Sequence, residues 1–139
     1  SSDFITGFCN ETEEDHQLTL SLMDKIKYNF SYMFYYSERP NTFAQRKLED
    51  NIPTDVKKRR LNDIIQQQQK DSLFRNELAI DKKYEVLIEG LSKKSDDEFF
   101  GRNSQNTVVV FKKKNRNIGE FVNVRINECT SATLIGEII

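Results

Sequence analysis

The chain has 139 residues, of which 37% are apolar and 31% are charged, so it can bury one or two modest cores. Its longest apolar runs are far shorter than the about 18 residues of a membrane span: Leu18–Met23, Tyr32–Tyr36 and Thr107–Phe111. No basic-then-apolar segment opens it, so neither a signal peptide nor a membrane helix is predicted. A net charge of −1 gives no overall indication of a nucleic-acid partner.

The chain has too few cysteines and histidines for a metal site of its own. Cys9 and Cys129 are the only cysteines and His16 is the only histidine, which excludes a closed zinc site and a four-cysteine iron–sulfur site. Two lone thiols are typical of a reducing compartment, so we expect a cytoplasmic protein. Cys9 can be a nucleophile or a small residue at a strand-to-helix turn, and we favour the turn. We expect His16 at the surface of an acidic helix, which leaves no Ser–His–Asp or Cys–His arrangement.

The first part of the chain alternates strand, helix and strand. Residues 2–8 are β-prone, and Thr12 with the acidic residues after it predicts the start of a helix that runs to about Lys27. Apolar residues at helical spacing mark one face of that helix: Leu18, Leu20, Leu22, Met23 and Ile26. The aromatic-rich segment Tyr28–Tyr36 predicts a buried strand, with four residues packed in a core: Tyr28, Phe30, Tyr32 and Phe34.

A strand–helix–strand unit implies two parallel strands and more sheet than this segment contains. One such unit cannot bury both faces of its sheet. Residues 1–75 are therefore predicted to be the end of a larger α/β domain, closed by a long linking helix.

The linking helix is predicted from Thr54 to about Phe74. Apolar residues mark one of its faces: Val56, Leu61, Ile64, Ile65 and Leu73. The opposite face, with Lys57–Arg60 and Gln66–Gln69, is expected to be solvated.

Residues 76–139 read as a different kind of domain, with a boundary near residues 73–80. Five short segments have the alternation or continuous apolarity of strands: 83–90, 99–102, 107–111, 120–126 and 133–139. Five short strands in about 60 residues predict a small all-β barrel.

Positive charge is concentrated in one segment of this second domain. Between Ser92 and Arg116 seven cations and three carboxylates leave a net charge of +4. Such a patch on the loops of a small barrel suits a phosphate backbone. It can equally be a solvated hairpin, because lysines also protect sheet edges.

Three segments together resemble the tRNA methylthiotransferases, a radical-SAM family. Residues 2–15 (SDFITGFCNETEED) resemble that family's "SDIIVGFPGETEEDF" segment, and residues 34–44 (FYYSERPNTFA) are similar to its "FxYSxRPGTxA" segment. Residues 86–95 and 100–111 resemble the TRAM domain, an RNA-binding β-barrel of these enzymes. Order and spacing match along the chain, and the barrel segment is closest to the branch that modifies N6-isopentenyladenosine beside the tRNA anticodon.

The resemblance has departures. Cys9-Asn10 stand where the family has Pro-Gly, and Asn41 replaces a glycine; asparagine tolerates the left-handed conformation that such turns require. The cysteines that bind the family's two iron–sulfur clusters are not among these residues. The resemblance is thus to the C-terminal end of the radical-SAM partial barrel plus the TRAM domain, a fragment that we expect to be inactive alone.

The resemblance also implies cofactors, partners and roles. The family uses two [4Fe–4S] clusters and S-adenosylmethionine to methylthiolate carbon 2 of the modified adenosine, and the protein binds and orients the reactants. It implies tRNA and S-adenosylmethionine as partners, with no membrane and no DNA. The implied cofactor-binding residues are Ile5, Gly7, Glu11, Tyr35, Tyr36 and Ser37; the implied RNA-binding residues are Arg39, Lys93, Lys94, Arg102 and Asn106. No catalytic residue and no metal ligand is assigned in this segment.

Two alternatives stay open at this point. The chain can be a non-catalytic RNA-binding or interaction module that shares only the TRAM barrel. It can also belong to the related branch that methylthiolates a ribosomal protein. The unfinished strand–helix–strand unit favours the enzyme, because a separate module has no use for it.

Overall fold

A computed structural model describes all residues from Ser1 to Ile139, which divide into two compact units, Ser1–Ser72 and Leu73–Ile139. The first unit holds the strands β1 (Ser2–Thr6) and β2 (Ser31–Tyr35) and the helices α1 (Glu13–Ile26) and α2 (Phe43–Lys47), with most of helix α3 (Thr54–Glu77). The second holds β3 (Lys83–Ser92), β4 (Ser95–Asn103), β5 (Val108–Lys112), β6 (Phe121–Cys129) and β7 (Leu134–Ile138). No helix is long and apolar enough to cross a membrane.

The first unit has the predicted strand–helix–strand order. β1 and β2 pair in parallel, with Ser2 opposite Ser31 and Thr6 opposite Tyr35. The predicted start of α1 is confirmed: the Thr12 hydroxyl accepts from the Asp15 amide at 3.1 Å. In return the Asp15 carboxylate accepts from the Thr12 amide at 2.9 Å, which completes a capping box.

The prediction of a buried aromatic strand is wrong for this chain. Phe30, Tyr32 and Phe34 are 42, 63 and 56% exposed. β2 pairs only with β1, and nothing in these residues packs on the outer face of the pair. The aromatic residues therefore lie on an open sheet face.

Helix α1 buries a different face from the one that the apolar stripe predicts. Leu18, Leu22 and Ile26 are exposed, whereas His16 and Met23 are fully buried. His16 and Met23 are seven residues apart and so share one helix face. The expected surface position of His16 is therefore wrong, because this face is turned towards α3, where Asp63 lies against the imidazole.

Helix α3 also buries polar residues that were expected in solvent. Lys57, Arg60 and Gln68 are each 4% exposed, and Ile64 at the centre of the same face is 0% exposed. Their cationic and amide groups donate to carbonyls and a carboxylate at loop ends, while the Arg60 Nε and the Gln68 Oε1 have no partner. Sequence patterning ranks such residues as solvated because their partners are distant in the sequence.

The second unit is a closed five-stranded barrel in the order β3–β4–β5–β7–β6. All neighbouring pairs are antiparallel except β5 and β7, which run parallel. Alternate residues of the strands fill its core: Val86, Ile88, Phe99, Val109, Phe111, Val122, Val124, Ile126, Leu134 and Ile138. The predicted all-β barrel of five strands is confirmed, and β3, β4 and β6 are longer than the sequence indicated.

The end of α3 is built into this second unit. The Asn76 side-chain amide donates to the Thr130 carbonyl at 2.8 Å, and Ala79 belongs to the barrel core. The barrel therefore needs the residues just before its first strand.

We predict that residues 73–139 fold alone as a monomer with one cooperative unfolding transition, because their core is closed on all sides. In the whole chain, amides of β1 and β2 should exchange with solvent faster than those of β3–β7, and the exposed apolar face should promote self-association. Hydrogen exchange with light scattering measures both. Equal protection of the two units in a monodisperse monomer would contradict this prediction.

Candidate functional site

The two parallel strands of the first unit end side by side. The Tyr36 amide donates to the Thr6 carbonyl at 2.8 Å, one residue beyond β2. In α/β barrels, ligands bind at the carboxyl ends of parallel strands. The residues that the resemblance assigns to the cofactor flank this edge, at the end of β1 and the turn after it or at the end of β2: Ile5, Gly7, Glu11, Tyr35, Tyr36 and Ser37.

Gly7 makes the turn that leaves β1. Its φ of +71° is left-handed, and a Cβ there would lie 2.5 Å from the Lys57 Cγ. Its amide donates to the Glu11 Oε2 at 2.9 Å, and the Thr6 hydroxyl donates to the Glu11 Oε1 at 3.2 Å. The Glu11 carboxylate thus closes the turn between β1 and α1.

A buried arginine holds the same carboxylate from α3. The Arg60 Nη1 donates to the Glu11 Oε1 at 2.9 Å and to its carbonyl oxygen at 3.0 Å. The neighbouring Glu13 is bound mainly by the exposed Arg59, whose hydrogen bonds lower the pKa of Glu13 from 4.5 to about 2. Glu11 is therefore saturated by the protein itself, and its carboxylate holds the turn.

The end of β2 is held by a buried lysine. The Lys57 Nζ donates to the Tyr36 carbonyl at 3.3 Å and to the Asp50 Oδ2 at 2.7 Å. The Tyr36 ring packs edge-on against Phe8, with a centroid distance of 4.9 Å. Burial, and then the adjacent Cys9 thiol, raise the pKa of the Tyr36 phenol. Tyr36 is therefore a packed residue of this edge.

Other predicted residues at this edge remain open to a ligand. Ile5 is 60% and Tyr35 38% exposed, and Ser37 and Arg39 lie exposed in the loop after β2. These side chains are accessible for contact with a bound molecule.

The unusual turn residues have a structural explanation. Asn10 and Asn41 both adopt a φ of +65°, which confirms that asparagine can take the left-handed positions. Asn10 and Asn51 also form two reciprocal hydrogen bonds. The Asn10 main-chain amide donates to the Asn51 Oδ1 at 2.9 Å, and the Asn51 side-chain amide donates to the Asn10 Oδ1 at 2.7 Å. Cys9 is 7% exposed beside them, which fits a turn residue better than a nucleophile.

His16 is a buried residue of this edge that sequence reasoning missed. Its Nε2 lies 3.2 Å from the Asp63 Oδ2 and its Nδ1 lies 3.5 Å from the Thr6 hydroxyl. The seven-residue spacing between His16 and Met23 is the one sequence signal that could have placed both side chains on the same, inner helix face.

The positive segment of the barrel does not form one patch. Lys93 and Lys94 occupy the turn between β3 and β4, whereas Arg102 and Asn106 lie at the β4–β5 end. Most of β4 (Ser95–Asn103) lies between Lys94 and Arg102, which is roughly 26 Å for eight residues at about 3.3 Å per residue. Lys112–Lys114 lie on the side of the lysine turn, because Lys112 pairs with Glu98 and the Lys113 amide donates to the Asp97 carbonyl. Arg102 is therefore separated from these lysines by the length of β4.

Several of these cations already have partners. The Arg102 Nη1 donates to the Asn106 Oδ1 at 3.1 Å, and its Nε lies 3.3 Å from Glu89. The Lys114 Nζ donates to the Ile138 carbonyl at 2.6 Å. Lys93 and Lys94 are exposed at their turn, so they are the better phosphate contacts.

The outer face of β3 carries a groove of about 290 Å³. It is lined by Leu87, Arg102, Asn106 and Phe121, with Glu85 and Glu89 at its acidic side. Phe121 is 64% exposed, a position that the period-two pattern of β6 could have identified because Val122 and Val124 point inward. An exposed aromatic ring beside a fixed guanidinium can stack on a planar base.

Both units of the chain are similar to known proteins. The TRAM domain family matches residues 80–139. Proteins named tRNA-2-methylthio-N(6)-dimethylallyladenosine synthase are similar over nearly the whole chain. The protein from Christiangramia forsetii is 61% identical over 99% of this chain, that from Amoebophilus asiaticus is 60% identical over 99%, and that from Flavobacterium johnsoniae is 56% identical over 100%. These similarities extend over both units of the chain.

The chain spans only part of these relatives, namely 28% of the first two and 29% of the third. Within its 139 residues no group of three or more His, Cys, Asp or Glu side chains is arranged to hold a metal ion. Its two cysteines belong to different units. These residues therefore do not fit a cluster-binding set.

We predict that Gly7→Ala destabilises the first unit by about 2 kcal/mol or more without any ligand, because it adds left-handed strain and a contact with Lys57. The Lys57 side chain cannot move away cheaply, since both Tyr36 and Asp50 hold its ammonium. Denaturant unfolding measures the loss.

Gly119→Ala is the matched control. Gly119 has a φ of +92° with nothing within 4 Å of an added Cβ, so this variant adds strain without a contact. Equal losses in the two variants would contradict the role of Lys57. A Gly7 variant cannot by itself report on cofactor binding, because the fold already requires this glycine.

Proposed function

We propose that this chain is part of a tRNA-modifying enzyme that methylthiolates carbon 2 of N6-isopentenyladenosine next to the anticodon. The observation that carries the proposal is the sequence identity of 54–61% to synthases of that name, which extends through both units of the chain. A free-standing RNA-binding module would share the barrel alone. The names of these relatives favour tRNA over a ribosomal protein as the substrate.

In this proposal the first unit is the end of a radical-SAM partial barrel. Its parallel strands and their adjacent carboxyl ends support that assignment. The open face of Ile5, Tyr32 and Phe34 is apolar and exposed, as the interior face of an incomplete barrel would be. The remainder of the longer protein would cover this face.

The strand-end edge would form one wall of the S-adenosylmethionine pocket. Ile5 and Tyr35 offer accessible apolar and aromatic surface for the adenosyl group, and Ser37 offers a hydroxyl. Gly7 and Glu11 shape the turn beside them. When bound with the clusters held elsewhere, the cofactor supplies the radical and methyl-transfer chemistry, while these residues orient it and exclude water.

The barrel would hold the tRNA through two different kinds of contact. Lys93 and Lys94 act as point charges for phosphates, with a strength that depends on salt. Arg39, exposed in the loop after β2, is a candidate for the same backbone. The groove of Phe121, Leu87, Arg102 and Asn106 would take a splayed-out base by stacking. Lys57 and Arg60 are buried and paired, which removes them from an RNA-binding surface.

The direct test is the reaction of a full-length protein that carries these residues, with both clusters reconstituted. We expect it to convert isopentenyladenosine in tRNA to the 2-methylthio nucleoside, detected by mass spectrometry of the digested tRNA. Modification of a ribosomal protein with no change in the tRNA would refute the proposal.

Salt titrations of binding to the anticodon stem-loop should distinguish the phosphate contacts from the stacking contact. Lys93→Ala with Lys94→Ala should weaken binding and reduce the slope of log K against log salt by one to two units, at about 0.7–0.9 per phosphate contact. Arg102→Lys should weaken binding while keeping the charge, because lysine cannot reproduce the planar contact.

Phe121→Ala should weaken the same binding by about 1–3 kcal/mol with an unchanged salt slope, as expected for the loss of one stacked base. Phe121→Leu should fail to restore it, because leucine keeps apolar bulk without an aromatic face. Ile118→Ala removes a 59% exposed side chain that does not line the groove and is the control. Equal effects of the Phe121 and Ile118 variants would exclude stacking in the groove.

A further inference from the structure

Arg60 is a charged residue of α3 whose side chain is buried. Its side chain is 5% exposed, and it meets Glu11 across 49 residues of sequence. Its Nη1 donates to both the carboxylate and the main-chain carbonyl of Glu11, and its Nη2 donates to the Glu13 Oε2 at 3.3 Å, while its Nε has no partner. The guanidinium therefore fixes the backbone and the side chain of Glu11 together.

The Arg60 contact continues to the strand end through Glu11. The second carboxylate oxygen of Glu11 accepts from the Gly7 amide at 2.9 Å. Arg60 thus fixes Glu11, and Glu11 fixes the left-handed turn at Gly7. Burying an ion pair gives little net stability compared with apolar packing, so stability alone is a weak reason for such a pair. Holding one conformation of the turn is a stronger one.

We propose that Arg60 is a positioning residue for S-adenosylmethionine: through Glu11 it pre-forms the Gly7 turn that borders the cofactor. The inference rests on the proposed function, which places the cofactor at this edge. Without Arg60, binding would have to order the turn, and that cost would weaken the affinity. Arg60 itself touches neither the cofactor nor the reacting atoms.

The experiment compares Arg60→Met and Arg60→Lys in a full-length protein that carries these residues. The dissociation constant for S-adenosylmethionine, from equilibrium dialysis, should rise about tenfold or more in Arg60→Met, as for the loss of a charge-assisted hydrogen bond. Arg60→Lys should recover part of it, because an ammonium can reach one of the two Glu11 oxygens. Affinity for the anticodon stem-loop should stay unchanged.

Arg59→Gln is the matched control. Arg59 is the adjacent cation, half-exposed, and it binds Glu13 and Asp63 without touching Glu11. This variant should keep the affinity of the parent protein for S-adenosylmethionine. An equal loss in Arg59→Gln would overturn the specific role of Arg60, because it would reduce the effect to general charge on α3.

Hydrogen exchange gives a readout without any cofactor. In Arg60→Met and Arg60→Lys the Gly7 amide should exchange faster with solvent. The Tyr36 amide, which donates to the Thr6 carbonyl, should stay protected, and this would show that the two strands are intact. Unchanged Gly7 exchange and unchanged affinity would overturn the inference alone. Failure of the parent protein to bind S-adenosylmethionine would overturn the proposed function and the inference with it.

Discussion

A pair of parallel strands has two faces, and this chain covers only one of them. Thr6 points towards α1, where it meets the buried His16, while the neighbouring Ile5 points the other way and is 60% exposed. Because side chains alternate across a strand, Tyr32 and Phe34 of β2 share the open face. The first unit therefore depends on polar contacts at its strand ends more than on a closed apolar core.

That constraint explains why the buried face of α3 is polar. The charged ends of Lys57 and Arg60 bind the carbonyl just beyond β2 and the turn after β1. Each strand end thus has its own cation from one helix. Charges in this role fix backbone geometry because their hydrogen bonds are directional, which an apolar side chain at the same place cannot achieve. The strand-end edge is therefore held by side-chain hydrogen bonds from α3 at both strands.

What the sequence predicted correctly follows from local signals. The Thr12 capping box, the left-handed Asn10 and Asn41, and the five barrel strands all depend on residues a few positions apart. The errors concern burial, which depends on partners far along the chain: His16 meets Asp63 across 47 residues. The exposure of the aromatic strand has the same origin, since β-propensity does not say whether a second layer is present.

For a similar reason, the net charge of a sequence segment does not give the charge density at the protein surface. The +4 segment of the barrel includes Arg102 and Arg116, whose carboxylate partners Glu89 and Glu120 lie outside it. Counting these partners halves the excess, and the remaining lysines lie towards one end of β4 beside the three carboxylates of the segment: Lys93, Lys94 and Lys112–Lys114. A barrel with so little concentrated charge cannot hold a polyanion by attraction alone. In the proposed function, stacking on Phe121 would add affinity that salt does not screen, so the groove and the lysine turn would make complementary contributions to RNA binding.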